Sequence, residues 1–147
     1  MTDTIGVMSE TELVGWGERL GRGLRPPALI ALTGDLGAGK TTLTQAICRG
    51  YGVRDEVTSP TFAIVHVYQA PPSPVFHVDL YRLEGPRDLQ NIGWDDMVRG
   101  DAIVIVEWPG RAGAAIPHDA LALELRLVEG DPARRELLRH RTTGVAA

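Results

Sequence analysis

Gly34, Gly39, Lys40 and Thr41 stand at the spacing G-x-x-x-x-G-K-[ST] within "GDLGAGKTT". Of 15 basic residues Lys40 is the single lysine, so a chain that otherwise writes arginine keeps one compact ammonium here. The glycines let successive backbone N–H groups turn inward and approach phosphate oxygens with no Cβ between. A helix starting at the loop adds the positive end of its dipole. The hydroxyl of Thr41 suits Mg²⁺, and an ammonium on a thin stem reaches terminal phosphates where a planar guanidinium is too broad. The stretch Gly34, Asp35, Leu36, Gly37, Ala38, Gly39, Lys40, Thr41 and Thr42 is therefore expected to hold the phosphates of a nucleoside triphosphate with Mg²⁺. Lys40 is taken as a solvent-reaching side chain. The plain alternative is a glycine-rich turn carrying a surface lysine. A strand-like run before the loop and a helix-like run after it speak against that.

Hydrolysis of such a ligand needs a carboxylate on the metal and a group that orients water. Glu107 ends the apolar run "IVIVE" and Asp79 ends "FHVD", and parallel strands aim their C-terminal ends at a bound ligand. Glu107 is the first candidate to hold Mg²⁺, directly or through water, and Asp79 is the second acid. Each could instead be an exposed strand-end acid or a helix cap. Trp108, next to Glu107, is either a core side chain or a nucleotide contact. "TSPTF" carries Thr58, Ser59, Pro60 and Thr61. On its own it is a turn, and between the loop and the acids it could offer hydroxyls to a γ-phosphate as a switch does. His66, His77, His118 and His140 show no metal-ligand spacing, so zinc is not expected.

The elements that must position these residues read as a mixed α/β order. "SETE" at 9–12 is a capping box, and Leu13, Trp16, Leu20 and Leu24 follow at helical spacing as far as Gly21 and Gly23. After Pro26 and Pro27, "ALIALTG" reads as a buried strand. "KTTLTQAICRG" reads as a helix with Leu43, Ala46 and Ile47 inward, stopped at Gly50. "FAIVHVYQ" and "VFHVDLYR" read as an antiparallel hairpin across the proline-rich "APPSP". One or two short helices follow, with Pro86 at a first helical position. "AIVIVE" is a buried strand, and "ALALELRLVEG" is half-buried through Leu121, Leu123, Leu125 and Leu127. "ARRELLRHR" is open between an edge strand and a helix, and the tail from about 142 is expected to fray.

The sequence has 147 residues, 44% of them hydrophobic and 23% charged, which suits one globular domain over 1–147. A net charge of −4 speaks against a chain that grips DNA or RNA backbone directly. Cys48 has no partner for a disulfide and is expected as a buried hydrophobe. No signal-like or membrane-length apolar run is seen, so a cytoplasmic protein is expected.

Taken together, "GDLGAGKTT", "TSPTF", "HVDLYRL" and "VEWP", in this order in so small a chain, closely resemble the TsaE family. The resemblance runs from about Ser9 to Leu127. It implies a P-loop NTPase-like mixed β-sheet flanked by helices, and a bacterial ATPase that assists synthesis of threonylcarbamoyladenosine at position 37 of certain tRNAs. It further implies that Gly34–Thr42 hold ATP phosphates, that Thr41 and Glu107 ligate Mg²⁺, and that Asp79 is the catalytic acid acting on water. Thr58–Thr61 would be the switch. The implied partners are a complex of two related proteins, TsaB and TsaD, which ATP hydrolysis would drive or reset, with tRNA reached only through that complex. Two positions depart from the family pattern. Leu13 stands where a hydroxyl residue near the adenine is usual, and a glutamate pair after "YRL" is reduced to Asp88. Two other readings of the same loop are a small-molecule kinase, with Arg82, Arg87 or Arg111 acting as a lid, and a nucleotide-gated binding module with negligible turnover.

Overall fold

The computed structural model describes residues 2–57, 64–85 and 87–141. The two most apolar runs form the middle of the sheet. They become β2 (Ala28–Gly34) and β5 (Ile103–Glu107), which pair in parallel with Leu32 opposite Glu107. A run without polar alternation must be covered on both faces, and it is. On one face Ile30, Leu32, Ile103 and Ile105 pack under α1 (Glu10–Gly23) and α2 (Lys40–Tyr51). On the other, Leu29, Ala31, Val104 and Val106 pack with Leu89 of α3 (Arg87–Asn91) and with Trp94 and Met97 of α4 (Trp94–Arg99).

The hairpin is β3 (Val65–Tyr68) with β4 (Val75–Asp79), antiparallel, and β4 lies parallel to β5. On the far side β2 pairs in parallel with β6 (Leu121–Val128), which turns back antiparallel into β7 (Asp131–His140). The first residues form a further strand, β1 (Thr2–Ser9), antiparallel to β7. The seven strands run in the order β1-β7-β6-β2-β5-β4-β3. The P-loop NTPase-like mixed sheet is thus present, with parallel strands at its centre and antiparallel ones at both sides.

The capping box at Ser9 is formed in both directions, with Glu12 N–H donating to the Ser9 hydroxyl and Ser9 N–H to the Glu12 carboxylate. Four points differ from expectation. The second helix does not stop at Gly50. It runs through Tyr51 to a left-handed Gly52, whose N–H donates to the Arg49 and Cys48 carbonyls. Gly50 serves packing instead, because a Cβ there would overlap the Glu18 carbonyl, as one on Gly21 would overlap the Ile47 carbonyl. The two helices therefore meet backbone to backbone, which is why α1 tolerates its glycines. Second, "ARRELLRHR" is strand, and β1 covers it, so it is not an edge. Third, the N-terminal strand itself was not anticipated: its residues are exposed or half-buried and carry no apolar alternation. Fourth, Leu127 is 53% exposed, since β6 outruns the cover of the helices. Pro86 and the tail from 142 lie outside the described residues.

Candidate functional site

The loop after β2 crosses to α2 through positive backbone angles at Gly37 (φ 82°) and Gly39 (φ 105°), a region where a side chain would be strained. Ala38 N–H donates to the Asp35 carbonyl and closes the turn. No side chain caps α2, and its first turn holds no acidic residue. The N–H groups at the start of this helix are left for an anion, where the dipole also favours one.

Glu107 and Asp79 end the adjacent strands β5 and β4, and Lys40 opens α2 in the loop that follows their neighbour β2. Lys40 is buried, and its Nζ lies 3.9 Å from Glu107 Oε1 and 4.6 Å from the centre of the Trp108 ring. It is therefore not the solvent-reaching side chain expected: with the loop in this state the ammonium is folded back onto a carboxylate and an indole face. Glu107 is only 4% exposed, and its other oxygen lies 2.7 Å from His77 Nε2. Carrying its hydrogen on Nε2, His77 donates to Glu107, and its Nδ1 is buried with no partner among the described residues. Glu107 is thus a carboxylate held from two sides. Asp79 stands opposite Glu107 in the β4–β5 register. It is half-buried and oriented, since Oδ1 accepts from the Tyr81 N–H at 2.9 Å.

Trp108 is no core residue. Its ring is 40% exposed, and it is the one non-glycine residue with positive φ (59°) among those described. It packs tilted against Tyr81, with ring centres 4.9 Å apart and planes at 52°, and the Arg111 guanidinium lies over the Tyr81 ring at 5.9 Å. Arg111 also donates to the Leu83 carbonyl, so it is tied down rather than poised as a lid. Beside the loop, between Trp108 and β6, lies a pocket of about 250 Å³ whose wall includes Thr33, Lys40, Glu124 and Arg126.

Mg²⁺ asks for oxygen ligands and is commonly held by one or two carboxylates together with substrate phosphates and water. The hydroxyl of Thr41 at the start of α2 and the buried, doubly supported carboxylate of Glu107 are a donor set of that kind. No group of three or more His, Cys, Asp or Glu side chains that could hold a metal occurs among the described residues. Leu13 is buried, lies within van der Waals contact of where a Cβ on Gly39 would stand, and offers no polar side-chain atom. Thr58, Ser59, Pro60 and Thr61 lie outside the described residues.

Two contacts were not legible in the sequence. His77 supports Glu107 from the neighbouring strand; its spacing of two residues from Asp79 places both on one face of β4, which was the available signal. Arg135, on β7, donates through Nη2 to the Gly37 carbonyl at 3.3 Å, across 98 residues of chain, and no local pattern marks it.

Residues 7–137 match the family described as "Threonylcarbamoyl adenosine biosynthesis protein TsaE". The chain is 41% identical over 119 residues to the tRNA threonylcarbamoyladenosine biosynthesis protein TsaE of Streptomyces coelicolor, covering 80% of either chain. It is 32% identical over 120 residues to the protein of the same name from Treponema pallidum, covering 82% of this chain and 88% of that one. The crystal structure of YdiB from Bacillus subtilis superposes with a TM-score of 0.78 at 26% identity, over 97% of this chain and 88% of the other. No helix among the described residues is long and apolar enough to cross a membrane.

Proposed function

The chain belongs to the TsaE family of threonylcarbamoyladenosine biosynthesis proteins, and from that premise we propose that it is a Mg²⁺-dependent ATPase whose turnover serves this tRNA modification. The observation that carries the reading is the position of Glu107. A buried carboxylate ends the strand beside the loop, 3.9 Å from the loop lysine, with Asp79 across from it in register.

The glycine-rich backbone and the open start of α2 bind the phosphates. Lys40 leaves Glu107 and Trp108 and turns its ammonium to the terminal phosphates, which frees Glu107. Thr41 and Glu107 would hold Mg²⁺, with His77 fixing the direction of the carboxylate. When bound, that ion neutralises charge on the β- and γ-phosphate oxygens. Asp79 keeps Oδ1 on the Tyr81 amide and uses its second oxygen to orient the attacking water. Thr58–Thr61 act as the switch that senses the γ-phosphate. Arg111, beside Tyr81 on the acid side of the loop, is held by the Leu83 carbonyl, so turnover of the isolated chain is slow, and partners raise it. Those partners are a TsaB–TsaD-like complex that hydrolysis drives or resets, in the cytoplasm, with tRNA reached through the complex.

The test is co-purification of the chain with a TsaB–TsaD pair, with and without MgATP, together with phosphate release. ATP-dependent association with turnover raised by the pair is the expected result. Phosphate transfer to a small-molecule acceptor, or association with no turnover at all, would replace this reading by a kinase or a nucleotide-gated binding module.

A further inference from the structure

Of the arginines with described contacts, Arg111 and Arg135 donate only to carbonyls, and of these two it is Arg135 that touches the loop. Arg49, Arg126 and Arg134 each pair with a carboxylate, to Glu18, Glu124 and Asp131 respectively. Arg135 pairs with none among the described residues and donates only to carbonyls. Its Nη1 reaches Pro132 and Arg134 at 2.8 Å, and its Nη2 reaches Gly37. Its Nε is buried with no acceptor among the described residues. Its charge, offset by no carboxylate among the described residues, is fixed on its own strand at the tip of the loop. An unmade bond to a buried charged donor is costly, so the site favours an acceptor that arrives later.

The side from which it comes decides its role. Strand β2 has β5 and β4 on one flank, carrying Glu107 and Asp79, and β6 and β7 on the other, carrying Arg135. The acids mark the flank where metal and γ-phosphate are handled. Arg135 reaches the loop from the opposite flank, at Gly37, and a charge arriving there would act on the part of the ligand that ATP and ADP share. We propose that Arg135 is a positioning residue for nucleotide binding, which pins the loop through Gly37 and draws the nucleotide anion in from the side away from hydrolysis. The proposal rests on the reading of the loop as an ATP site. It sets affinity apart from rate: this arginine is not a finger on the γ-phosphate.

The experiment compares wild type with Arg135→Ala, Arg135→Lys and Arg139→Ala in the full chain. Arg139 is an exposed arginine on the same strand and controls for loss of one positive charge. Binding of MgATP and MgADP is measured by calorimetry, KM and kcat by phosphate release, and folding by thermal melting without nucleotide. For Arg135→Ala the affinity for both nucleotides should fall about tenfold, the lower end of what a hydrogen bond from a charged group is worth, since 3.3 Å is long. KM should rise in step, with kcat within about threefold. Arg135→Lys, which keeps a charged donor, should recover most of the affinity, and Arg139→Ala should bind as wild type. A fall in kcat with ADP affinity intact, an equal loss in Arg139→Ala, or unchanged binding in a folded Arg135→Ala would each overturn the proposal. Wild type that binds neither nucleotide would instead remove the ATP reading beneath it.

Discussion

The Lys40 ammonium lies 3.9 Å from a carboxylate oxygen of Glu107, and both side chains are buried. These are the two groups that the proposed reading assigns to the phosphates and to Mg²⁺, and in the structure they engage one another. On the proposed reading, binding exchanges that pair, together with the cation–π contact to Trp108. The exchange is plausible in energy, because the phosphates and Mg²⁺ offer each partner a stronger counter-charge than the one it gives up.

Trp108 should report that exchange. Of the three tryptophans, Trp94 is buried and Trp16 half-buried, while Trp108 carries the lysine on its exposed ring. Addition of MgATP is expected to change tryptophan emission, and Trp108→Phe to abolish most of that change while Trp16→Phe preserves it. Stopped-flow fluorescence makes the comparison. A signal that survives Trp108→Phe would mean that the ammonium does not leave the ring.

His77→Ala should separate metal use from folding. It removes the hydrogen bond that aims Glu107 and leaves a buried carboxylate short of a donor. Loss of such a supporting partner typically costs about 10- to 100-fold in metal affinity. The expected outcome is a rise of that order in the Mg²⁺ concentration for half-maximal ATP hydrolysis, with a stability loss of about 1–3 kcal/mol in urea unfolding. An unchanged Mg²⁺ requirement in a folded variant would show that His77 is packing alone.

Cys48 gives the chain an alkaline limit. Burial pushes its thiol from 9.0 up to about 12. The folded state keeps its proton in that window while the unfolded state loses it, so stability falls as pH rises above about 9, by at most about 1.4 kcal/mol per pH unit. Below 9 both states hold the proton and the group has no effect. Unfolding midpoints measured from pH 8 to 11 should slope down in wild type and flatten in Cys48→Ala. Native protein should also resist thiol reagents near pH 8.

The loop, the central strands and the two strand-end acids were legible because each is written in a local run of sequence: glycine spacing, unbroken apolar stretches, an acid at the end. What escaped notice depends on pairing across distance. Strand β1 exists because β7 offers it an edge, and nothing in "TDTIGVMS" shows that. Gly50 looked like a helix stop because its reason for being glycine, the Glu18 carbonyl, lies on another helix. Arg135 reaches Gly37 from 98 residues away. His77 was weighed as a metal ligand and set aside, whereas its place is behind the carboxylate expected to hold the metal. The alternation that marks β6 predicted which leucines face inward but not where the helices stop covering them, so Leu127 was misplaced.

The most direct measurement is γ-phosphate release from MgATP by Asp79→Asn, set beside its ATP affinity and beside wild type, each with the partner complex added. Asparagine keeps the oxygen that accepts from the Tyr81 amide, so the β4 end stays in place and only the charge that orients water is removed. The account predicts MgATP binding within about threefold of wild type and hydrolysis slowed by about 100-fold or more, the range for loss of a positioned acid or base. Hydrolysis near the wild-type rate in Asp79→Asn, or a wild-type chain that releases no phosphate under the same conditions, would contradict it.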